Sequence, residues 1–174
     1  MKNKCLFLDR DGIINIPLVK KNKPFAPTKI SQFRLYKNLN KTLNYIKKFN
    51  YLIIIITNQP ELSRGNLDEK TLDKMHDIIF STLPIDDIFI CKCQESSSCN
   101  CYKPKPKMLY DAKMKHNIDF KKSYFVGDTH RDIYCASNAG CYSILLKKRY
   151  NYEMISKADY VIENFGQIKK ILKK

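Results

Sequence analysis

A chain of 174 residues, 44% apolar and 28% charged, is long enough for one domain with a packed core and too apolar for a disordered segment. No stretch approaches the roughly 20 apolar residues that span a bilayer. Met1-Lys2-Asn3-Lys4 precedes only the short apolar run 5–8, too little for a signal peptide, so a cytoplasmic protein with no membrane partner is expected.

The net charge of +15 is scattered rather than blocked along the chain. Among several short basic runs, those at 20–21 and 169–174 read as solvated surface and a frayed tail, so the charge permits an anionic partner without singling out nucleic acid.

The chain opens on an apolar run, Cys5-Leu6-Phe7-Leu8, that predicts a buried strand. It ends in Asp9-Arg10-Asp11-Gly12. Ligands of open α/β sheets sit at the carboxyl ends of strands. Two acids crowded there need a cation or a division of roles, such as a nucleophilic Asp9 beside an acid/base Asp11 with magnesium. A capped turn explains the same residues.

Further continuous apolar runs at 51–56, 88–90, 124–126, 143–146 and 160–162 predict strands covered on both faces. Helical spacing falls between them. Leu39, Leu43, Ile46 and Phe49 share one face of a helix ending before Asn50. Leu72, Met75, Ile79 and Leu83 follow Asp68 as N-cap. Met108, Ala112, Met114 and His116 form a third helix, opened in its first turn by Pro106. A fourth runs from 130 to 139 and stops at Gly140.

Strand and helix alternate throughout, which predicts an α/β fold. It is a single domain over 1–174 built on a doubly wound, Rossmann-like parallel sheet with helices on both faces. Two irregular stretches, 16–31 and 91–106, are long enough to be functional.

Polar groups appear abruptly at later strand ends. Thr57-Asn58-Gln59 suits phosphate oxygens, and Arg64 offers a bidentate contact to a phosphate or sugar. A plain strand exit and a surface arginine are the alternative. Asp128 is a third strand-end acid fit for magnesium, and Lys103 is placed to neutralise a phosphoryl group.

Seven cysteines in a reducing compartment speak against a disulfide framework. Cys91-Lys92-Cys93 and Cys99-Asn100-Cys101 have the paired spacing of a tetrahedral zinc site. Lys92, Lys103 and Lys105 are expected to offset its charge. Cys5, Cys135 and Cys141 read as buried apolar groups. His76 reads as a helix residue, exposed or in the core rather than a ligand, and His116 sits near a helix C-terminus, where a cation is favoured.

The ordered set Asp9-Arg10-Asp11-Gly12, Thr57-Asn58-Gln59, Lys103 and Gly127-Asp128 with Asp132 resembles the haloacid dehalogenase superfamily of aspartyl-phosphate phosphatases, over nearly the whole chain. It is most similar to the branch of histidinol-phosphate and heptose bisphosphate phosphatases, nearer the heptose type, and that branch carries a zinc loop before an Arg-Lys-Pro. The resemblance implies Asp9 as nucleophile, Asp11 as general acid and base, and magnesium held by Asp9, the Asp11 backbone carbonyl and Asp128. It implies Thr57, Asn58 and Lys103 on the phosphoryl oxygens, Asp132 fixing its neighbours, and a structural zinc on Cys91, Cys93, Cys99 and Cys101.

No separate cap fits between Asp11 and Thr57. Substrate choice then falls to loop 15–27, Arg64 and Tyr102. A monomer acting on a sugar phosphate of surface-polysaccharide or nucleotide-sugar synthesis is implied, with no nucleic-acid partner.

The chain departs from the branch at several positions. Cys93 stands for a histidine, Tyr102 for the arginine before Lys103, Thr129 for a basic residue, Pro60-Glu61 for a Ser/Asp-Gly pair, and Ile13 for a threonine. Lost cations at 102 and 129 bear on recognition of a second phosphate, with His130 and Lys20 as expected replacements. Histidinol-phosphate phosphatase, polynucleotide 3′-phosphatase and a non-catalytic zinc-containing nucleic-acid-binding module are the competing readings.

Overall fold

The computed structural model describes residues 2–96 and 98–172. Met1, Ser97, Lys173 and Lys174, the last two from the C-terminal basic run, lie outside the described residues. Six strands form one sheet: β1 (Lys4–Leu8), β4 (Tyr51–Asn58), β5 (Asp87–Cys91), β6 (Tyr124–Gly127), β7 (Tyr142–Leu146) and β8 (Tyr160–Ile162). Their order is β5-β4-β1-β6-β7-β8, and every neighbouring pair is parallel. The helices are α1 (Leu39–Lys47), α2 (Glu69–Thr82), α3 (Lys107–His116), α4 (His130–Ala139) and a short α5 (Ile168–Ile171).

Continuous apolar runs are required here because both faces are covered. Leu6, Leu8, Ile53 and Ile55 join the core made with α1, α2 and α5. Cys5, Phe7, Ile54 and Ile56 join the core made with α3 and α4. The period of two along β1 and β4 thus divides one run between two layers. Among the described residues no helix is long and apolar enough to cross a membrane.

The sheet order has a functional consequence. From β1 the chain goes to β4 and then outward to β5, then crosses back to β6 on the other side of β1. The strand order therefore reverses beside β1, and the carboxyl ends of β1, β4 and β6 border one crevice. Such a reversal is where open α/β sheets bind ligands.

Several sequence expectations are corrected. The stretch 16–31 contains an antiparallel hairpin, β2 (Leu18–Lys20) paired with β3 (Lys23–Phe25). Lys21 and Asn22, both at positive φ, make the two-residue turn whose twist suits a hairpin. Pro24 masks this in the sequence, although an edge strand tolerates it. Helix α1 stops at Lys47, and the Phe49 N–H bonds Ile46 O at 2.9 Å in a tightened last turn. Pro106 is the N-cap of α3 rather than a residue of its first turn. Met114 points to solvent at 83% exposure; Met108, Leu109 and Ala112 form the buried face.

Ile55 is fully buried in the middle of β4. Ile55→Ala is expected to lower unfolding stability by about 2–5 kcal/mol, read as a lower urea midpoint at unchanged m-value.

Candidate active site

Asp9 follows the last residue of β1 and Asp128 follows the last residue of β6. Asp9, Asp128 and Asp132 present carboxylate oxygens within 4.8 Å of one another, and all three residues are buried. Close backbone approach makes this possible. Gly12 has φ +97°, and a Cβ there would lie 1.9 Å from Asp128 Oδ2. A side chain at 12 is therefore excluded by both conformation and space.

Lys103 arrives from the loop after β5 and balances the acids. Its Nζ donates to Asp9 Oδ1 at 2.8 Å, Asp132 Oδ1 at 2.6 Å and the Ile56 carbonyl at 2.9 Å. Three partners match the three donors of an ammonium. Asn58 holds the lysine's backbone: its Oδ1 accepts from the Lys103 N–H at 3.0 Å, and its Nδ2 donates to the Lys103 carbonyl at 3.4 Å.

Asp132 spends its other oxygen on the N–H and hydroxyl of Thr129, at 3.0 and 2.7 Å. This ties the start of α4 to the acid cluster. Thr129, the position of a lost cation, thus serves as helix cap.

Burial and the neighbouring Asp132 push the Asp9 carboxyl up to about 7 against the pull of Lys103. Burial, Asp9 and Asp132 likewise raise Asp128 well above the ordinary carboxylate range. Burial works against the Lys103 ammonium, but Asp132 and Asp9 outweigh it and strengthen its hold on the proton. One lysine cannot neutralise three acids, so the cluster is short of positive charge.

Asp128 gives the local sign of what is missing. Tyr150 donates to its Oδ2, but Oδ1 is buried without a partner. An orphaned, raised carboxylate oxygen beside Asp9 fits a hard divalent cation such as magnesium, which takes carboxylate and carbonyl oxygens.

Asp11, two residues from Asp9, has opposite surroundings. The Arg10 guanidinium donates to both its oxygens at 3.0–3.2 Å, Asn15 Nδ2 at 3.0 Å and Gln59 Nε2 at 2.8 Å. Arg10 is fully buried and also donates to Gln59 Oε1 at 2.9 Å. Its Nη1 lies 3.4 Å from His76 Nε2. Burial and then Arg10 depress the His76 imidazole to about 4. A neutral ring with Nε2 as acceptor is therefore what the arginine meets. His76 is a buried neighbour of the site's arginine.

A cleft of about 560 Å³ opens above Asp9, Asp11, Lys103 and Asp128. The β2–β3 hairpin supplies Lys23 and Phe25 to its rim, and Arg64, Tyr102 and His130 line it too. Lys20 does not line it; its strand points it to solvent. Thr57 is fully buried under the cleft, its hydroxyl accepting from Gln59 Nε2 at 2.9 Å.

The sulfurs of Cys91, Cys93, Cys99 and Cys101 lie within 4.8 Å of one another. Three separations are 3.8, 3.7 and 3.7 Å. A tetrahedron with metal–sulfur bonds of ~2.3 Å has edges of about 3.8 Å, so these three separations match zinc, and Cys91 and Cys101, bonded to each other here, complete the set when reduced.

Two expectations are corrected here. Cys91 and Cys101 are joined as a disulfide, their Cα atoms 5.5 Å apart and so within bridging range. Of the three lysines expected to offset the loop's charge, Lys105 bonds it through the Cys99 carbonyl at 2.6 Å. Lys92 pairs with Glu69, and Lys103 serves the acids. Cys5, Cys135 and Cys141 are buried free thiols.

The sequence did not single out Asn15, Tyr150 and Arg131, nor did it foresee the contacts of Arg10. Asn15 and Arg10 adjoin the acidic motif, a signal of proximity only. Arg131 adjoins Asp132 in the same way, and Tyr150 carries no local signal, since the contacts that matter are made across the fold.

A HAD-hydrolase-like family model matches residues 100–168. The D-glycero-α-D-manno-heptose-1,7-bisphosphate 7-phosphatase of Campylobacter jejuni is 36% identical over 149 residues, 84% of this chain and 83% of that protein. The D-glycero-β-D-manno-heptose-1,7-bisphosphate 7-phosphatase of Helicobacter pylori is 32% identical over 143 residues, 79% of each chain. A crystal structure of the D,D-heptose 1,7-bisphosphate phosphatase of B. bronchiseptica, complexed with magnesium and phosphate, superposes with a TM-score of 0.83 at 24% identity, covering 98% of both chains. It shares this fold.

The raised Asp9 makes a stability prediction for metal-free protein. Between its unfolded value of 3.8 and its native value of about 7, the native state binds more protons than the unfolded chain, so this group's contribution falls as pH rises through that window. His76, depressed from 6.5 to about 4, acts in the opposite direction. Comparing Asp9→Asn with wild type isolates Asp9. In EDTA the variant is expected to be the more stable at pH 8, with the difference shrinking toward pH 4 in urea melts.

Proposed function

The chain belongs to the haloacid dehalogenase superfamily, in the branch of the heptose bisphosphate phosphatases, and from that premise we propose that it hydrolyses a sugar phosphate through an aspartyl-phosphate. The substrate class proposed is a D-glycero-D-manno-heptose 1,7-bisphosphate, cleaved at the 7-phosphate. The observation that carries the reading is the buried meeting of Asp9, Asp128 and Lys103 below an open cleft, with Asp128 Oδ1 unpartnered.

Both hydrogen bonds to the Asp9 side chain, from the Arg10 N–H and Lys103, fall on Oδ1. Oδ2 is then available to attack phosphorus. The bond from Asp9 to phosphorus forms as the ester P–O bond breaks. Asp11 delivers a proton to the departing alkoxide, then takes one from the water that hydrolyses the acyl phosphate and regenerates the Asp9 carboxylate. For either transfer an Asp11 oxygen leaves one of its Arg10, Asn15 or Gln59 donors. Lys103, on turning one donor from its present partners, stabilises the charge on the phosphoryl oxygens, while Asn58 holds the lysine's backbone and the Thr57 hydroxyl lies beneath.

Magnesium would be held by the carboxylates of Asp9 and Asp128 and the Asp11 carbonyl, and when bound it supplies Lewis-acid neutralisation of the phosphoryl group. Zinc on Cys91, Cys93, Cys99 and Cys101 would be structural, stiffening the loop that carries Tyr102 and Lys103. We place the enzyme in the cytoplasm as a single-domain monomer of surface-polysaccharide synthesis. In that reducing compartment the four cysteines act as thiolates.

Asp9→Asn is expected to cut magnesium-dependent phosphate release from D-glycero-D-manno-heptose 1,7-bisphosphate by at least about 10³-fold, with the circular dichroism spectrum unchanged. Residual turnover near wild type would reject Asp9 as nucleophile. Purification under reducing conditions is expected to give one zinc per chain by elemental analysis. Cys99→Ser should lower that content and the melting temperature together, and a metal-free reduced protein of full stability would reject the zinc assignment.

A further inference from the structure

The reacting end of the cleft already has its cation. Lys103 serves Asp9 and Asp132 there, and all its protons are in use. The cleft is much larger than one phosphoryl group, and its wall carries two more cations around Tyr102. Arg131, in the first turn of α4, lies with its guanidinium 5.7 Å from the Tyr102 ring centroid. One of its Nη2 protons goes to Glu95 at 3.0 Å, while its Nε is buried without a partner. Arg64, on the loop after β4, pairs with Glu61. Tyr102 and both ion pairs line the same cleft.

Arg131 lines the cleft, and Glu95 engages only one of the N–H groups its guanidinium carries. A guanidinium that lies on an aromatic ring in the wall of a cleft suits a tetrahedral oxyanion, which it can grip through two parallel N–H groups. The carboxylates of Glu95 and Glu61 hold the two arginines in place without ligand and are exchangeable partners at the rim.

Positions 102 and 129, tyrosine and threonine here, cannot bind a second phosphate themselves: Tyr102 is the platform and Thr129 is spent on Asp132. We infer that Arg131, stacked on Tyr102 and seconded by Arg64, binds the non-reacting phosphate of a doubly phosphorylated sugar. The inference rests on the phosphatase reading above and deepens it.

The test compares kcat/KM for D-glycero-D-manno-heptose 1,7-bisphosphate with that for D-glycero-D-manno-heptose 7-phosphate, which lacks the second phosphate, in wild type, Arg131→Leu and Arg131→Lys. The ratio within each protein cancels any loss of folded enzyme. Wild type should favour the bisphosphate, Arg131→Leu should lower the ratio about tenfold or more, and Arg131→Lys should recover part of it. An Arg131→Leu ratio equal to that of wild type overturns the inference while leaving the phosphatase reading intact. Release of phosphate from neither sugar by wild type overturns the heptose bisphosphate reading, and the inference with it.

Discussion

Three carboxylates of like charge share a buried space with a single ammonium group, and the rest of the molecule is arranged to keep them there. Asp9, Asp128 and Asp132 come from β1, the end of β6 and the first turn of α4. Such a group is costly, since each buried charge raises the others. The sheet holds it together by forcing the ends of β1 and β6 side by side, while Gly12 removes the atom that would keep Asp128 away. Lys103 offsets part of the repulsion, and the remainder is what makes the site receptive to a cation.

Two acids separated by one residue receive contrasting environments. Asp9 sits among acids, held by Lys103 and a backbone N–H. Asp11 sits among donors: a buried arginine and two amides. Diverging surroundings are how neighbouring carboxyls take different tasks. Residues two apart on an extended strand share a face, so the divergence comes from the turn after β1, which carries Asp11 away from Asp9 to Arg10, Asn15 and Gln59. Arg10 adds a condition of its own, since a guanidinium fully buried is tolerable only with Asp11, Gln59 and a neutral His76 around it.

Much of this was legible in the sequence. The six sheet strands and four longer helices follow from apolar runs and helical spacing, because those periods record which face of each element is buried. Asp9, Asp128, Lys103 and the four loop cysteines stand out because polar groups directly after apolar runs, and thiols in close pairs, are costly to keep without a purpose. The hairpin at 18–25 was hidden, since it has no apolar stripe and contains Pro24. The Cys91–Cys101 pairing and the diversion of Lys92 to Glu69 were hidden as well, because spacing does not say which of several near neighbours a side chain meets.

The sequence by itself determined the class of fold, the strand ends that bear polar groups and the chemical kinds available there. These are local properties, set by periodicity and by what can be buried next to what along the chain. Tertiary structure alone decided that Tyr150 would reach Asp128, that Arg10 would be buried between Asp11 and His76, and that Arg131 would lie on Tyr102. Those meetings depend on the crossover that carries the chain from β5 back past β1 to β6. That crossover is chosen by the packing of two whole helical layers and not by any residue near the site.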